Sequence, residues 1–136
     1  FNLYSNVVTT FTVHLPVLNF TDGTQKTCLI TLPLFHTTGQ TVQMNTQIYA
    51  GHRVVLLPRF EPQATLDTMV NEKVNFWVGV PTMYWALLKH AEETGADISA
   101  IKESMKVCSS GGAPMPVEVM KAFQEKFGVR VLEGYG

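Results

Sequence analysis

Four short segments carry side chains or bare backbone that could do chemistry: "PLFHTTG" at 33–39, "GVPTMY" at 79–84, "SGGAP" at 110–114 and "EGYG" at 133–136. His36 has an imidazole that ordinarily titrates near neutrality, so it can hydrogen-bond a carboxylate or shape a pocket without fixed charge. It can equally be a polar group on a loop. Gly111 and Gly112 leave the backbone bare, and Pro114 and Pro116 stiffen the residues just after them. Such a step serves either a strained turn or a shelf against which a flat ring lies. Tyr135, between Gly134 and Gly136, either packs or covers the other face of that ring. Gly79 and Val80 put a small residue beside an apolar one, where an acyl or aromatic chain could enter. No Lys or Arg flanks the glycine pair and no G-x-G-x-x-G run is present, so the segment suits a base better than a pyrophosphate.

The elements that must position these segments are legible as alternating patterns. "TCLITLPLF", "HRVVLLP", "VNFWVGV", "MKVCSS" and "VRVLEG" read as strands, each a nearly continuous apolar run. Between them "HTTGQTVQMNTQIYAG", "EPQATLDTMVNEK", "PTMYWALLKHAEETG" and "PVEVMKAFQEKFG" carry helical spacing, with Pro at the start or Gly at the end of several. Met83, Leu87, Leu88 and Ala91 form one inward stripe; Val119, Met120, Phe123 and Phe127 form another. Residues 2–15 have helix-capable spacing weakened by Thr9, Thr10 and Thr12, and "TDGTQ" reads as a turn. Strands buried on both faces and alternating with helices predict an α/β fold. The expected architecture is a mostly parallel five-stranded sheet with helices on both faces, a single subdomain over residues 1–136. In such a sheet every βα turn leaves from the carboxyl edge, so all four chemical segments are expected along one rim.

Composition narrows the function classes. The chain has 136 residues, 46% apolar and only 15% charged, with 10 basic and 11 acidic side chains giving a net charge of −1. This leaves no basic footprint for nucleic acid. No basic start precedes a clean apolar run, so neither a signal peptide nor a membrane span is expected, and a cytoplasmic setting fits. Cys28 and Cys108 lack metal-ligand spacing and sit in apolar runs, which predicts reduced, buried thiols. His14, His52 and His90 read as surface or packing residues. A start without Met and a stop directly after a strand suggest a piece of a larger protein, whose missing surfaces would leave apolar patches able to drive self-association.

"LPLFHTTG", "AGHRVVLLPRFEP", "VPTMYWALL" and "SSGGAPMPVEVMKAFQEKFGVRVLEGYG", in this order and at this spacing, resemble the AMP-forming acyl-CoA synthetases. These belong to the adenylate-forming ligase superfamily, with luciferases, coumarate-CoA ligases and peptide-synthetase adenylation domains. "PLFH", "LLPRF" and "RVLEGYG" most resemble the long-chain fatty-acid branch. The resemblance implies ATP or AMP, Mg²⁺ and coenzyme A as cofactors, and a fatty acid or other small carboxylic acid as substrate. It implies that Gly111, Gly112, Ala113 and Pro114 cradle adenine, and that Tyr135 stacks on it with Glu133, Gly134 and Gly136 beside it. It implies that His36 lies near the acyl carboxylate and the thiol channel, and that Thr38, Val80 and Met83 line the acyl pocket. In the family a Ser/Thr/Gly-rich phosphate loop would precede residue 1. A Thr-Glu pair meeting phosphate and Mg²⁺, and a domain carrying a catalytic lysine, would come after residue 136. No metal ligands are therefore expected within these residues, and no acyl-adenylate from them alone. The alternatives are another adenylate-forming ligase for aryl acids or amino acids, a dinucleotide-dependent enzyme, or a stand-alone signalling module of receiver type. A receiver needs clustered acids at strand ends, where only Glu133 is evident.

Overall fold

A computed structural model of the chain describes residues 2–20 and 22–135. Five strands form one sheet: β1 (Thr27–Ile30), β2 (Arg53–Leu56), β3 (Phe76–Gly79), β4 (Val107–Ser110) and β5 (Arg130–Glu133). Their spatial order is β2-β1-β3-β4-β5 and every pairing is parallel. The predicted α/β class and the five strands are therefore found, though each strand is shorter than its apolar run. "TCLITLPLF" leaves the sheet after Ile30, because Pro33 cannot donate to a ladder, and Phe35 beyond it is 92% exposed.

Alternate residues of each strand face opposite layers, as the two-residue repeat demands. Leu29, Trp77, Cys108 and Val131 face a thick layer made by α4 (Pro62–Asn71), α5 (Pro81–Thr94), α6 (Ser99–Ser104) and α7 (Val117–Phe127). The short α6 lies between α5 and β4. A row of rings, Trp77, Tyr84, Phe123 and Phe127, fills this core, with successive centroids 4.7, 4.8 and 4.2 Å apart. Each fully buried side chain of this kind contributes about 1.5–3 kcal/mol. Cys28, Phe76, Val78 and Val107 face a thinner layer with Leu15 and Phe20. Both cysteines are buried and free, and burial pushes their thiols well above the ordinary range, which keeps them inert.

The thin layer is built from unusual helix. α1 (Asn2–Thr9) runs through a π-helical turn, Thr10–His14, into α2 (Leu15–Val17). The threonines that weakened this reading explain the geometry: Thr10 and Thr12 hydroxyls donate to the carbonyls of Asn6 and Val8, and Pro16 has no N–H to give. The segment after β1 is wound the same way over Thr38–Asn45 before α3 (Thr46–Tyr49). There the Thr46 hydroxyl donates to the Thr41 carbonyl at 2.7 Å, five residues back. Gly51, at φ +74°, ends α3. No described helix is long and apolar enough to cross a membrane.

Candidate functional site

The turns leaving β3, β4 and β5 interlock. Register places Gly79 beside Ser110 and Ser110 beside Glu133, so the strands finish level. Beyond them the Gly111 N–H donates to the Gly79 carbonyl at 3.3 Å, and the Gly134 N–H to the Ser110 carbonyl at 2.8 Å. Gly112 has φ +79°, a conformation that side chains rarely adopt, and a Cβ there would lie 3.6 Å from Val80 Cγ1. A Cβ on Gly111 would stand 3.3 Å from the Gly134 carbonyl oxygen. The glycine pair therefore meets a real steric need. It also leaves Gly112, Ala113 and Pro114 exposed as a bare step on the rim.

Three further bonds hold that step. Glu133 Oε1 accepts from the Met115 N–H at 3.0 Å, and Ser110 Oγ donates to Met115 Sδ at 3.5 Å. From beneath, the buried Tyr84 hydroxyl donates to the Ser109 carbonyl at 2.7 Å. Burial, reinforced by neighbouring Cys108, raises the Tyr84 phenol well above its ordinary range, so this donor keeps its proton.

The β1 turn carries His36 and Thr38. Its first half folds back on itself: the His36 N–H donates to the Pro33 carbonyl at 3.0 Å. Gly39 packs so tightly that a Cβ would come 2.5 Å from the Pro33 oxygen. His36 is exposed and Thr38 half-buried at the start of the π-helical segment. Because β1 lies next to β3, this turn and the Val80 turn flank the point where the chain reverses its direction across the sheet. Such a crevice is where open α/β sheets take ligands.

All four predicted segments thus lie on one carboxyl edge, but they are not equally assembled. Val80, Gly111, Gly112, Glu133 and Gly134 are drawn together. Tyr135 is fully exposed. Met83 is half-buried against the thick core layer, which agrees with its place on the inward stripe of α5. Gly136 lies outside the described residues, as do Phe1 and Thr21. Gly79 offers no opening on its side-chain face: a Cβ there would meet the Trp77 ring at 2.6 Å, and that indole donates to Thr31 Oγ1 at 3.0 Å. The reading of Gly79 as room for an entering chain is corrected accordingly. Glu133 is also joined at the carboxyl edge by Glu61, whose carboxylate caps α4 by accepting from Gln63 and Ala64 N–H groups at 3.2 and 2.6 Å.

Sequence reasoning passed over Gln43. It is fully buried in the π-helical segment, as are Gly39 and Thr41. An alternating small-or-polar pattern within a supposed helix was its only signal. Of the other histidines, His14 is exposed, His90 Nε2 lies 2.7 Å from Gln63 Oε1, and His52 is buried with Nδ1 2.9 Å from Gln47 Oε1. Two cavities lie away from the rim. One, of about 410 Å³, is lined by Leu3, Tyr4, Val7, Asn45, Ile48 and Tyr49; the other, of about 270 Å³, lies beside Phe20 and His52. Among the described residues no group of three or more His, Cys, Asp or Glu is arranged to hold a metal.

Comparison with known proteins agrees with this architecture. The family model described as "AMP-binding enzyme" matches residues 1–136. A long-chain-fatty-acid–CoA ligase of Bacillus subtilis (strain 168) is 40% identical over 115 residues, 85% of this chain and 20% of that protein. A feruloyl-CoA synthase of an Amycolatopsis species is 32% identical over 114 residues, 84% of this chain and 22% of that protein. The crystal structure of ATP-bound MatB from Rhodopseudomonas palustris superposes with a TM-score of 0.77 at 31% identity, covering 99% of this chain and 24% of that one. The chain thus spans about a fifth to a quarter of the length of these relatives. With the whole chain matched by the family model and the same sheet found in a solved relative, this protein belongs to the AMP-binding enzyme family of adenylate-forming ligases.

Proposed function

We propose that residues 1–136 supply the adenine shelf and one wall of the acyl slot of an acid–CoA ligase, which activates a carboxylic acid with ATP and passes the acyl group to coenzyme A. The observation that carries this reading is the interlock of the β3, β4 and β5 turns, with Gly111 against Gly134 and Gly112 against Val80. A side-chain-free, hydrogen-bonded step lets a purine approach the backbone closely. Gly111, Gly112, Ala113 and Pro114 form that step in the proposal, with Glu133 fixing its far end through Met115. Gly134 and Tyr135 border it, and the exposed Tyr135 ring is free to turn onto a bound base. His36 stands toward the acyl carboxylate and the thiol, and Thr38 and Val80 line the acyl group, with Met83 behind them in the core. Positioning of two reactants in one crevice is the main contribution these residues make.

Among the described residues no cluster is arranged to take the Mg²⁺ that the family implies: Glu61 gives both carboxylate oxygens, and Glu133 one, to backbone N–H groups. Charge neutralisation on the transferring phosphate belongs, in this reading, to the longer protein, and so does a cytoplasmic setting. A long-chain fatty acid is the proposed substrate, supported by the 40% identity to a ligase of that name and opposed by the feruloyl-CoA synthase at 32%.

ATP–pyrophosphate exchange by the longer natural chain, run with fatty acids of graded length and with ferulate, tests both levels. Exchange greatest with long fatty acids is the expected result. Exchange with ferulate alone would reassign the substrate, and none with any acid would overturn the function. Residues 1–136 by themselves should give no exchange above background. The exposed Leu3, Tyr4, Ile48 and Tyr49 support self-association of the chain on its own, and a monodisperse monomer by light scattering would refute that.

A further inference from the structure

The seam between β1 and β3 is the weak line of the sheet. These strands pair in two rows, Cys28 with Phe76 and Leu29 with Trp77, whereas the other neighbours pair in four. The seam opens toward the carboxyl rim, at the reversal point flanked by the His36 and Val80 turns. Gln43 fills the opening. Its Nε2 donates to the Leu29 carbonyl at 3.2 Å and to the Val78 carbonyl at 3.1 Å, one from each strand. The amide is fully buried, and its Oε1 has no hydrogen-bond partner; nor has the buried Thr41 Oγ1 nearby in the same segment.

One amide here serves two strand carbonyls that an apolar side chain would leave without this donor, while its own Oε1 stays unpaired. The segment presenting Gln43 is itself eight residues of π-helix, a geometry that is rare and concentrated at functional sites. A polar group retained against local preference, on an uncommon backbone, at the opening of a ligand crevice, marks a positional role.

We infer that Gln43 is a positioning residue: its amide clamps β1 to β3, fixes the width of the slot between Thr38 and Val80, and so selects acids by the girth of the chain beside the carboxylate. This rests on the acid–CoA ligase reading. The two N–H groups of one planar amide span a fixed distance, so the two carbonyls they hold cannot drift apart. Without them the β1 and β3 turns would separate and wider acids would enter.

The test uses the longer natural chain with Gln43→Met, close in length but without donors, and Gln43→Glu, close in shape but with at most one donor for the two carbonyls. The readouts are kcat/KM for dodecanoate and for ferulate, and KM for ATP. The expected result is that the preference between the two acids moves toward unity by about tenfold, while KM for ATP stays within about twofold. An unmoved preference, or equal losses for both acids and ATP, would overturn the inference. Failure of both variants to fold would assign Gln43 to stability alone and overturn it too. A wild-type chain without exchange on any acid refutes the ligase reading and takes this inference with it. Wild-type exchange with an unmoved preference refutes the clamp alone.

Discussion

Tyr84 illustrates how one residue serves both core and rim. Its ring packs between Trp77 and Phe123, while its hydroxyl holds the Ser109 carbonyl immediately before the glycine step. Tyr84→Phe keeps the ring and removes a buried hydrogen bond, so unfolding should become easier by about 1–1.5 kcal/mol, read from the denaturant midpoint. His52 governs a different response. Burial is the main cause holding its imidazole below the ordinary pKa, with Lys26 acting the same way; the Phe20 carbonyl and Asp22 oppose them. The fold therefore prefers the neutral ring. Unfolded, the ring takes a proton as pH drops through about 6.5, so the unfolded state binds more protons there and stability falls on acidification. Between about pH 7 and about pH 5 the wild-type melting temperature should decline more steeply than that of His52→Asn. Parallel slopes would remove His52 from the acid response.

At the scale of elements, the π-helical segment is held against the β1 turn by a glycine. Gly39→Ala would drive a methyl group into the Pro33 carbonyl, a backbone atom that cannot swing aside as a side chain can. Such overpacking should cost about 1–3 kcal/mol and displace the His36 turn. Chemical denaturation gives the first effect, and chemical-shift changes confined to residues 32–45 give the second. A variant as stable as wild type would mean that the turn relaxes freely, and the rim would then be softer than its contacts suggest. The shortened strands belong to the same scale. Apolar runs marked where strands lie, but hydrogen-bond registry and Pro33 decided where they stop.

Across the whole molecule, the two layers are unequal. Among the described residues eighteen buried side chains form the thick cluster and six the thin one. Apolar burial sets how much free energy is needed to expose a layer, so the thin side should open first. Native-state hydrogen exchange should find amides of α1 and α2 exchanging well before those of α5 and α7. Uniform protection would show that the layers unfold as one unit. The rim would then stay intact whenever the N-terminal helices are closed.

The sequence by itself determined the class of fold, the order of strands and helices along the chain, and which segments fall on the carboxyl edge. Those conclusions come from periodicity and from strand–helix alternation, both local properties. His36, Val80, Gly112 and Glu133 could be placed on that edge because parallel strands all end there. Tertiary structure decided what local pattern does not encode. The Trp77 ring fills the space beside Gly79, Glu133 bonds to Met115, Tyr135 stands exposed, and Gln43 spans two strands. The Glu133 and Gln43 contacts depend on residues distant in sequence meeting across a packed sheet, the Trp77 ring is set in place by the core around it, and a buried amide looks polar to any reading of hydropathy until its partners are in place.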